Sequence, residues 1–146
     1  MATGESTQSS DQTATMSSVT PLHDAVCHGN LKKVHELVRS GANLGTRDSL
    51  GHTPLMCAVA LDYKHIAEFL SKKMSYQDLN VMDNAQRNVL HMMAFLDRPW
   101  PQLMQDISSM CPNLLQQTDK TGLRSKDIAR RRSRRVYKII GKLSQS

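Results

Sequence analysis

The sequence predicts an all-α repeat solenoid: a stack of about three repeats and a C-terminal capping unit, with helix pairs joined by β-hairpin-like fingers. The first reason is an internal repeat, since Thr20–His23 returns as Thr53–Met56 after 33 residues. Such a period indicates short units that bury their apolar faces only on one another. The second is helical spacing of apolar residues after each copy. The third is composition, because 4% aromatic residues with nine methionines favour thin, repeated layers over one large core.

Two weaker copies extend the repeat toward the C-terminus. Asn88–His91 follows the second copy after 35 residues, and Arg124–Asp127 follows after 36 more. An aspartate stands five residues before each of the last three copies. Two of these three aspartates have a glycine three residues after them. The aspartates are Asp48, Asp83 and Asp119. The period therefore continues to the end of the chain.

These copies divide the chain into a leader, three repeats and a cap. Ten of the first twenty residues are Ser or Thr, so we expect residues 1–19 to be a disordered leader that buries too little apolar surface to fold. The repeat domain is predicted to occupy the rest of the chain, 20–146. Its predicted units are 20–52, 53–87, 88–123 and a cap at 124–146.

Each unit is predicted to contain two helices. Thr20 and Thr53 are N-cap residues, and proline follows each at the first helical position, where a missing N–H costs nothing. The first helices should span 21–28 and 54–61. Apolar stripes mark second helices at Val34, Leu37 and Val38; at Ile66, Phe69 and Leu70; and at Val136, Ile139, Ile140 and Leu143.

The third unit departs most from the pattern. It carries bulky Met93 where the earlier copies have alanine, and its second helix is expected over 102–110, ending before Pro112. Trp100 lies between two prolines and has two interpretations, an exposed anchor for a partner or a lid over the gap left by inserted residues. The second unit departs less, with Asp62 in the helix turn and a longer return at 74–78.

Charge is distributed unevenly. The chain carries a net charge of +6, but residues 1–119 hold 9 basic and 12 acidic residues (−3), and residues 120–146 hold 10 basic and one acidic (+9). The longest apolar run, Leu55–Leu61, is about a third of a membrane span. Three cysteines without CxxC spacing suit a reducing compartment. We therefore expect a cytoplasmic or nuclear protein that does not cross a membrane.

The motifs resemble those of the ankyrin repeat family. Thr20–His23, Gly29, Gly41–Asn43, Asp48 and Gly51–Leu55 match its signature, and the resemblance covers the chain from residue 20 onward. It implies a non-catalytic module that binds a protein partner through the concave side of its stack. The small size resembles short ankyrin inhibitors of transcription factors and ankyrin subunits that regulate kinases, and it implies a monomer when free.

No motif for catalysis or for a cofactor is present. The sequence lacks the phosphate-binding, dinucleotide-binding, zinc-protease and nucleophile-elbow patterns, so we expect no enzyme activity and no cofactor. His23 and Cys27 could share a helical face as metal ligands. The family resemblance favours a different role for His23, and for the equivalent His91, in which the imidazole supports a finger through a hydrogen bond.

The resemblance assigns the partner-binding residues to the finger tips and to the outward face of the first helices. Met92 and Phe95 have an alternative role, packing inside a loosened third repeat. The first and second finger tips are Arg47, Ser49, Leu50 and His52, and Met82, Asn84, Ala85 and Arg87. The third tip is Lys120, Thr121 and Leu123, and the helix candidates are Asp24, Cys57, Ala60, Leu61, Met92 and Phe95.

A basic patch lies in the predicted cap. It has four interpretations: a polar end cap, a nuclear-localisation signal, a surface for an acidic protein, or, less favoured because no nucleic-acid module is present, a nucleic-acid site. The alternative function is thus a nuclear or nucleic-acid-associated factor acting through this patch. Ser133 within it is a candidate phosphorylation site. The patch consists of Arg130, Arg131, Arg132, Arg134, Arg135, Lys138 and Lys142.

Overall fold

A computed structural model describes residues 20–145, and within that range the chain forms nine α-helices and one 3-10 helix, with no strand. The predicted leader lies outside the described residues. The α-helices are α1 (Pro21–Cys27), α2 (Leu31–Arg39), α3 (Pro54–Ala60), α4 (Lys64–Lys73), α5 (Tyr76–Leu79), α6 (Val89–Met93), α7 (Pro101–Met110), α8 (Ser125–Arg132) and α9 (Arg134–Leu143), and the 3-10 helix is Pro112–Leu115.

The helices form a repeat stack, which confirms the predicted fold class. The first helices of the units make an inner row, in which α1 packs on α3, α3 on α6 and α6 on α8. The second helices lie outside, where α2 contacts α4 and α7 contacts α9. One apolar core runs along the stack between the two rows. Each unit therefore buries its apolar face on the next, as the period requires.

Side-chain caps begin the first helices. The Thr20 hydroxyl accepts a hydrogen bond from the backbone N–H of His23 (3.1 Å), and Thr53 does the same for Met56 (3.3 Å). In the third unit Asn88 replaces threonine, and its Oδ1 accepts from the N–H of the third helical residue at 3.0 Å. Both residue types satisfy one of the free N–H groups at a helix start. The predicted caps are confirmed.

The turn between the two helices of a unit requires a left-handed residue. Gly29 occupies that place in the first unit with φ of 66°, and Asp62 occupies it in the second with φ of 64°. The residue after each donates back into the first helix, Asn30 to Ala25 at 3.0 Å. Aspartate tolerates this backbone region better than most residues with a Cβ. The second turn therefore keeps its shape without glycine.

Three features of the middle units refine the expectations. The long return at 74–78 contains a short helix, α5, which begins with a capping box between Ser75 and Asp78 and buries Leu79. Trp100 is only 4% exposed and immediately precedes α7. The structure therefore favours the lid over the exposed anchor. Met93 is fully buried, so the core of the third unit accommodates a large side chain at the position of an alanine.

The capping unit is a pair of helices separated at Ser133. This residue is extended (φ −148°, ψ 110°), and its hydroxyl accepts from the N–H of Val136 at 3.4 Å, so it caps α9. Val136 and Ile140 are buried and close the core. Among the described residues, no helix is long and apolar enough to span a bilayer.

Candidate protein-binding face

Three fingers project from the stack, and in each a single aspartate holds a five-residue turn. The backbone N–H of the aspartate donates to the carbonyl four residues later. Its Oδ1 accepts from the N–H groups two and four residues later, at 2.8–3.0 Å. An aspartate side chain can replace a backbone carbonyl in such turns. The three residues are Asp48, Asp83 and Asp119.

Buried histidines attach the first and third fingers to the inner helices. His23 Nε2 lies 2.8 Å from the carbonyl oxygen of His52, and His91 Nε2 lies 2.8 Å from that of Leu123. Because His91 Nδ1 accepts from the N–H of Asn88, its Nε2 carries the proton and donates to the finger. Burial lowers the pKa of His91 below its usual value of 6.5. The predicted role of both histidines is confirmed.

The second finger has a different attachment. Met56 stands where the other units have histidine and offers no ring nitrogen to a finger. Instead, the buried Asp83 accepts a hydrogen bond from Arg87 Nε at 2.9 Å. His52 Nε2 from the first finger also lies 3.2 Å from the Asp83 carboxylate. Asp83 and Arg87 both belong to the second finger, so their charge pair holds the finger together internally, and the contact with His52 joins it to the first finger.

Hydrogen bonds between neighbouring fingers join the tips into one ridge. The backbone N–H of Asn84 donates to the carbonyl of Leu50 at 3.0 Å, and its side-chain amide donates to the carbonyl of Ser49 at 2.9 Å. The Arg47 guanidinium donates to the Asn84 side chain at 3.1 Å. Residues assigned to separate finger tips from the sequence therefore form one surface.

The ridge exposes apolar side chains that have no partner in the core. On the ridge, Leu50 is 62% exposed and Met82 is also exposed. Beside it, Leu61 follows α3 and is exposed, and Phe95 follows α6 and is 38% exposed. The structure corrects two members of the predicted set, since Cys57 and Met92 are each only 7% exposed. Cys57 on α3 lies beneath the first finger, with its thiol 3.6 Å from the Asp48 carboxylate, and Met92 on α6 packs in the apolar core, as its alternative role predicts. The other predicted tip and helix residues are exposed or half-buried: Arg47, Ser49, Asn84, Asp24, Ala60, Lys120 and Thr121 are exposed, and His52, Ala85, Arg87 and Leu123 are half-buried.

Three potential metal ligands meet beneath the first finger, where His23, Asp48 and Cys57 have ligand atoms within 4.8 Å of one another. Each already has a partner in the protein: His23 holds the finger, Asp48 holds the turn, and the Cys57 thiol lies 3.6 Å from the Asp48 carboxylate. Burial, followed by the charge of Asp48, raises the pKa of Cys57 to about 12. A neutral thiol is a poor metal ligand. Cys27, which the sequence paired with His23, is exposed.

A cavity of about 330 Å³ opens where the third finger meets α8. Phe95, Leu123 and Ile128 supply apolar walls. The Arg132 guanidinium carbon lies 5.0 Å from the centre of the Phe95 ring, and that of Arg87 lies 5.9 Å from it. The exposed ring therefore contacts two cations. Sequence reasoning missed Ile128 because it lies on the weakest copy of the repeat.

The seven residues of the basic patch are all exposed, and they divide between two helices. Arg130, Arg131 and Arg132 end α8, and the others belong to α9. Only Arg131 and Arg132 line the cavity. Ser133 at the break is half-buried. The run of arginines in the sequence thus presents two surfaces.

Comparison with known proteins supports the repeat assignment. The family model for ankyrin repeats (3 copies) matches residues 5–98. The human protein phosphatase 1 regulatory subunit 27 is 44% identical over 54 residues, which are 37% of this chain and 35% of that protein. Inversin of Danio rerio is 34% identical over 73 residues, which are 50% of this chain and 7% of inversin. The mouse RelA-associated inhibitor is 45% identical over 42 residues, which are 29% of this chain and 5% of that protein.

Each of these matches spans about a third or less of the relative's length. The family match itself covers more than half of the chain. It ends at residue 98, and the stack continues beyond it, because the third finger and the pair α8 and α9 repeat the same aspartate turn and helix packing. The chain belongs to the ankyrin repeat family.

Proposed function

We propose that the protein is a non-catalytic regulatory module that binds a protein partner through the ridge of its fingers and the adjoining inner helices. The observation that carries the proposal is the ridge itself, on which Leu50 and Met82 are exposed on a backbone fixed by the Asp48 and Asp83 turns. The buried centre of a protein interface is more apolar than the rest of the surface, and methionine is enriched there. Methionine adds an adaptable contact.

The names of similar proteins support a regulatory role. One relative is named as a regulatory subunit of a phosphatase and another as an inhibitor associated with RelA. By analogy, binding would control the activity or the location of the partner. The partner class therefore includes signalling enzymes and transcription factors, in a cytoplasmic or nuclear compartment.

Affinity capture with matched surface variants tests the proposal. The variant L50S/M82S removes two exposed apolar side chains from the ridge, and Y76S/M110S removes two equally exposed ones from α5 and α7, away from the fingers. Quantitative mass spectrometry of proteins captured by the tagged chain should show partners that L50S/M82S loses and Y76S/M110S keeps. An unchanged set of captured proteins with L50S/M82S would refute the proposal.

The basic patch supports a second candidate function, a nuclear or nucleic-acid-associated factor. The supporting observation is that all seven basic side chains are exposed. Binding of labelled single-stranded DNA by such a patch should weaken steeply with salt, with a log–log slope of about −0.7 per phosphate contacted. Binding that is absent at low salt would reject the nucleic-acid form of this candidate.

A further inference from the structure

The cavity between the third finger and α8 combines an apolar floor with a basic rim. Phe95 forms part of the floor and is 38% exposed. Ile128 from α8 is buried and closes the wall. Lys120, Arg131 and Arg132 stand at the rim and are exposed. The cavity belongs to the concave side, because it is lined by finger residues and by residues on or next to the inner helices α6 and α8.

The charge at the rim is not compensated within the described part of the chain. No carboxylate there lies within 4.0 Å of a nitrogen of Lys120, Arg131 or Arg132. Asp119 also lines the cavity, but its Oδ1 already accepts from the N–H of Thr121 and from that of Leu123. Asp119 therefore holds the turn, and no carboxylate of the described residues neutralises the rim cations, of which Arg132 also lies over the Phe95 ring.

Size and chemistry together define the ligand. About 330 Å³ is at the small end of the roughly 300–1,000 Å³ found for ligand pockets. A cavity of this size accepts one or two side chains of a peptide. An apolar side chain fits the walls, and carboxylates on either side of it match three cations on the rim.

We propose that this cavity binds an acidic segment of the partner protein, with one apolar side chain of the segment against Phe95 and its flanking carboxylates on Lys120, Arg131 and Arg132. The inference rests on the proposed function and names the chemistry of the partner. It also gives the two halves of the arginine run different roles, because Arg134 and Arg135 on α9 do not line the cavity.

Fluorescence anisotropy with designed peptides and the full chain tests the proposal. The probe carries the sequence Glu-Asp-Leu-Asp-Glu between neutral flanks. One control peptide replaces the acids by Gln and Asn, and another replaces Leu by Gly. We expect the probe to bind more tightly than either control, and its affinity to fall as salt rises from about 50 mM to about 500 mM.

Matched variants separate the cavity from general attraction to a basic surface. R131Q/R132Q should weaken probe binding about fivefold, because it removes two of the three rim charges that pair with the carboxylates of the probe. R134Q/R135Q removes the same charge outside the cavity and should change binding less than about twofold. Ala85→Leu fills the cavity without changing charge and should also weaken binding. Thermal melting by circular dichroism establishes that each variant is folded.

Several outcomes would overturn the proposal: no binding of the probe, equal loss in both arginine double variants, or no effect of Ala85→Leu. Tighter binding of a single-stranded oligonucleotide, with the same dependence on Arg131 and Arg132, would assign the cavity to nucleic acid instead. Failure of the peptide experiment leaves the proposed function standing if captured partners still depend on Leu50 and Met82. Loss of that dependence would remove the proposed function whatever the peptides do.

Discussion

The first two units and the third unit differ in their helices but hardly in their fingers. The first two begin with a Thr-Pro cap and turn through a left-handed residue, whereas the third begins with Asn88 and turns through a proline-flanked segment closed by Trp100. Yet the fingers before and after the third unit are held by the same aspartate hydrogen bonds, from Asp83 and Asp119. The geometry of the candidate binding face therefore depends on one carboxylate per finger and tolerates irregular helices behind it.

The largest loss of stability is expected from a substitution in the turn of the third unit, where a buried aromatic residue stands in place of a regular turn. Trp100 immediately precedes the second helix of its unit, as Tyr63 does in the second unit, but Trp100 is buried and Tyr63 is half-buried. Trp100→Ala should lower the free energy of unfolding by about 3–5 kcal/mol, and Tyr63→Ala by clearly less. Urea unfolding measures both. Equal losses would mean that Trp100 is not a specific element of the third unit.

Replacing a finger aspartate should destabilise the protein more when that aspartate is more deeply buried. Asp83 is buried and accepts from two backbone N–H groups and from Arg87, whereas Asp119 is half-buried. Asp83→Ala leaves the half-buried Arg87 guanidinium and two backbone N–H groups without their acceptor and should cost about 2–3 kcal/mol. Asp119→Ala should cost about 1 kcal/mol, because water can replace the carboxylate. Chemical denaturation of the two variants tests the order, and a larger loss for Asp119→Ala would contradict it.

A smaller effect concerns the left-handed residue of each finger. Gly51 and Gly122 have φ of 83° and 82°, and Gln86 holds the same place with φ of 60°. Gln86→Gly should therefore stabilise the protein by up to about 1 kcal/mol, and Gly122→Ala should destabilise it by about that amount.

The control for these two variants tests whether the structure has room for a new Cβ atom. A Cβ at position 122 meets no atom within 4 Å, whereas a Cβ on Gly51 would lie 2.7 Å from the backbone nitrogen of Asn84. Gly51→Ala should therefore cost more than Gly122→Ala, since it adds a clash to the backbone strain. Melting temperatures of the three variants give the comparison. A stabilising effect of Gly122→Ala would show that its backbone conformation is not strained.

The smallest expected effect is a pH dependence of stability that comes from His91, which holds the third finger. Burial lowers the pKa of His91 below 6.5 in the folded protein, so the unfolded chain binds a proton more readily than the folded one. The stability linked to neutral His91 is therefore complete above about pH 6.5 and is lost as pH falls through the lower, folded pKa. Unfolding free energies measured from about pH 8 to about pH 5 should fall less steeply in His91→Gln than in the natural chain. Parallel curves would contradict the assignment of His91 as a buried neutral donor.

Local chemistry made much of the fold predictable. The Thr-Pro caps, the left-handed turns and the recurring aspartates were predictable because each occupies a place where the backbone needs a conformation or a hydrogen bond that few residue types can provide. Exposure of Leu50 and Met82 at finger tips followed from their position in the repeat. The short helix α5 was missed, since four residues give no apolar period.

Other outcomes required the packed stack. The family resemblance placed Cys57 on the outward face and left Met92 between a surface and a core position, and both are buried, because burial depends on which parts of neighbouring units meet. The sequence by itself determined the repeat, the finger turns and the basic end of the chain. Only the tertiary structure decided that Arg131 and Arg132 share a cavity with Phe95, because these residues are more than 30 positions apart in the chain and meet only when α6 packs on α8.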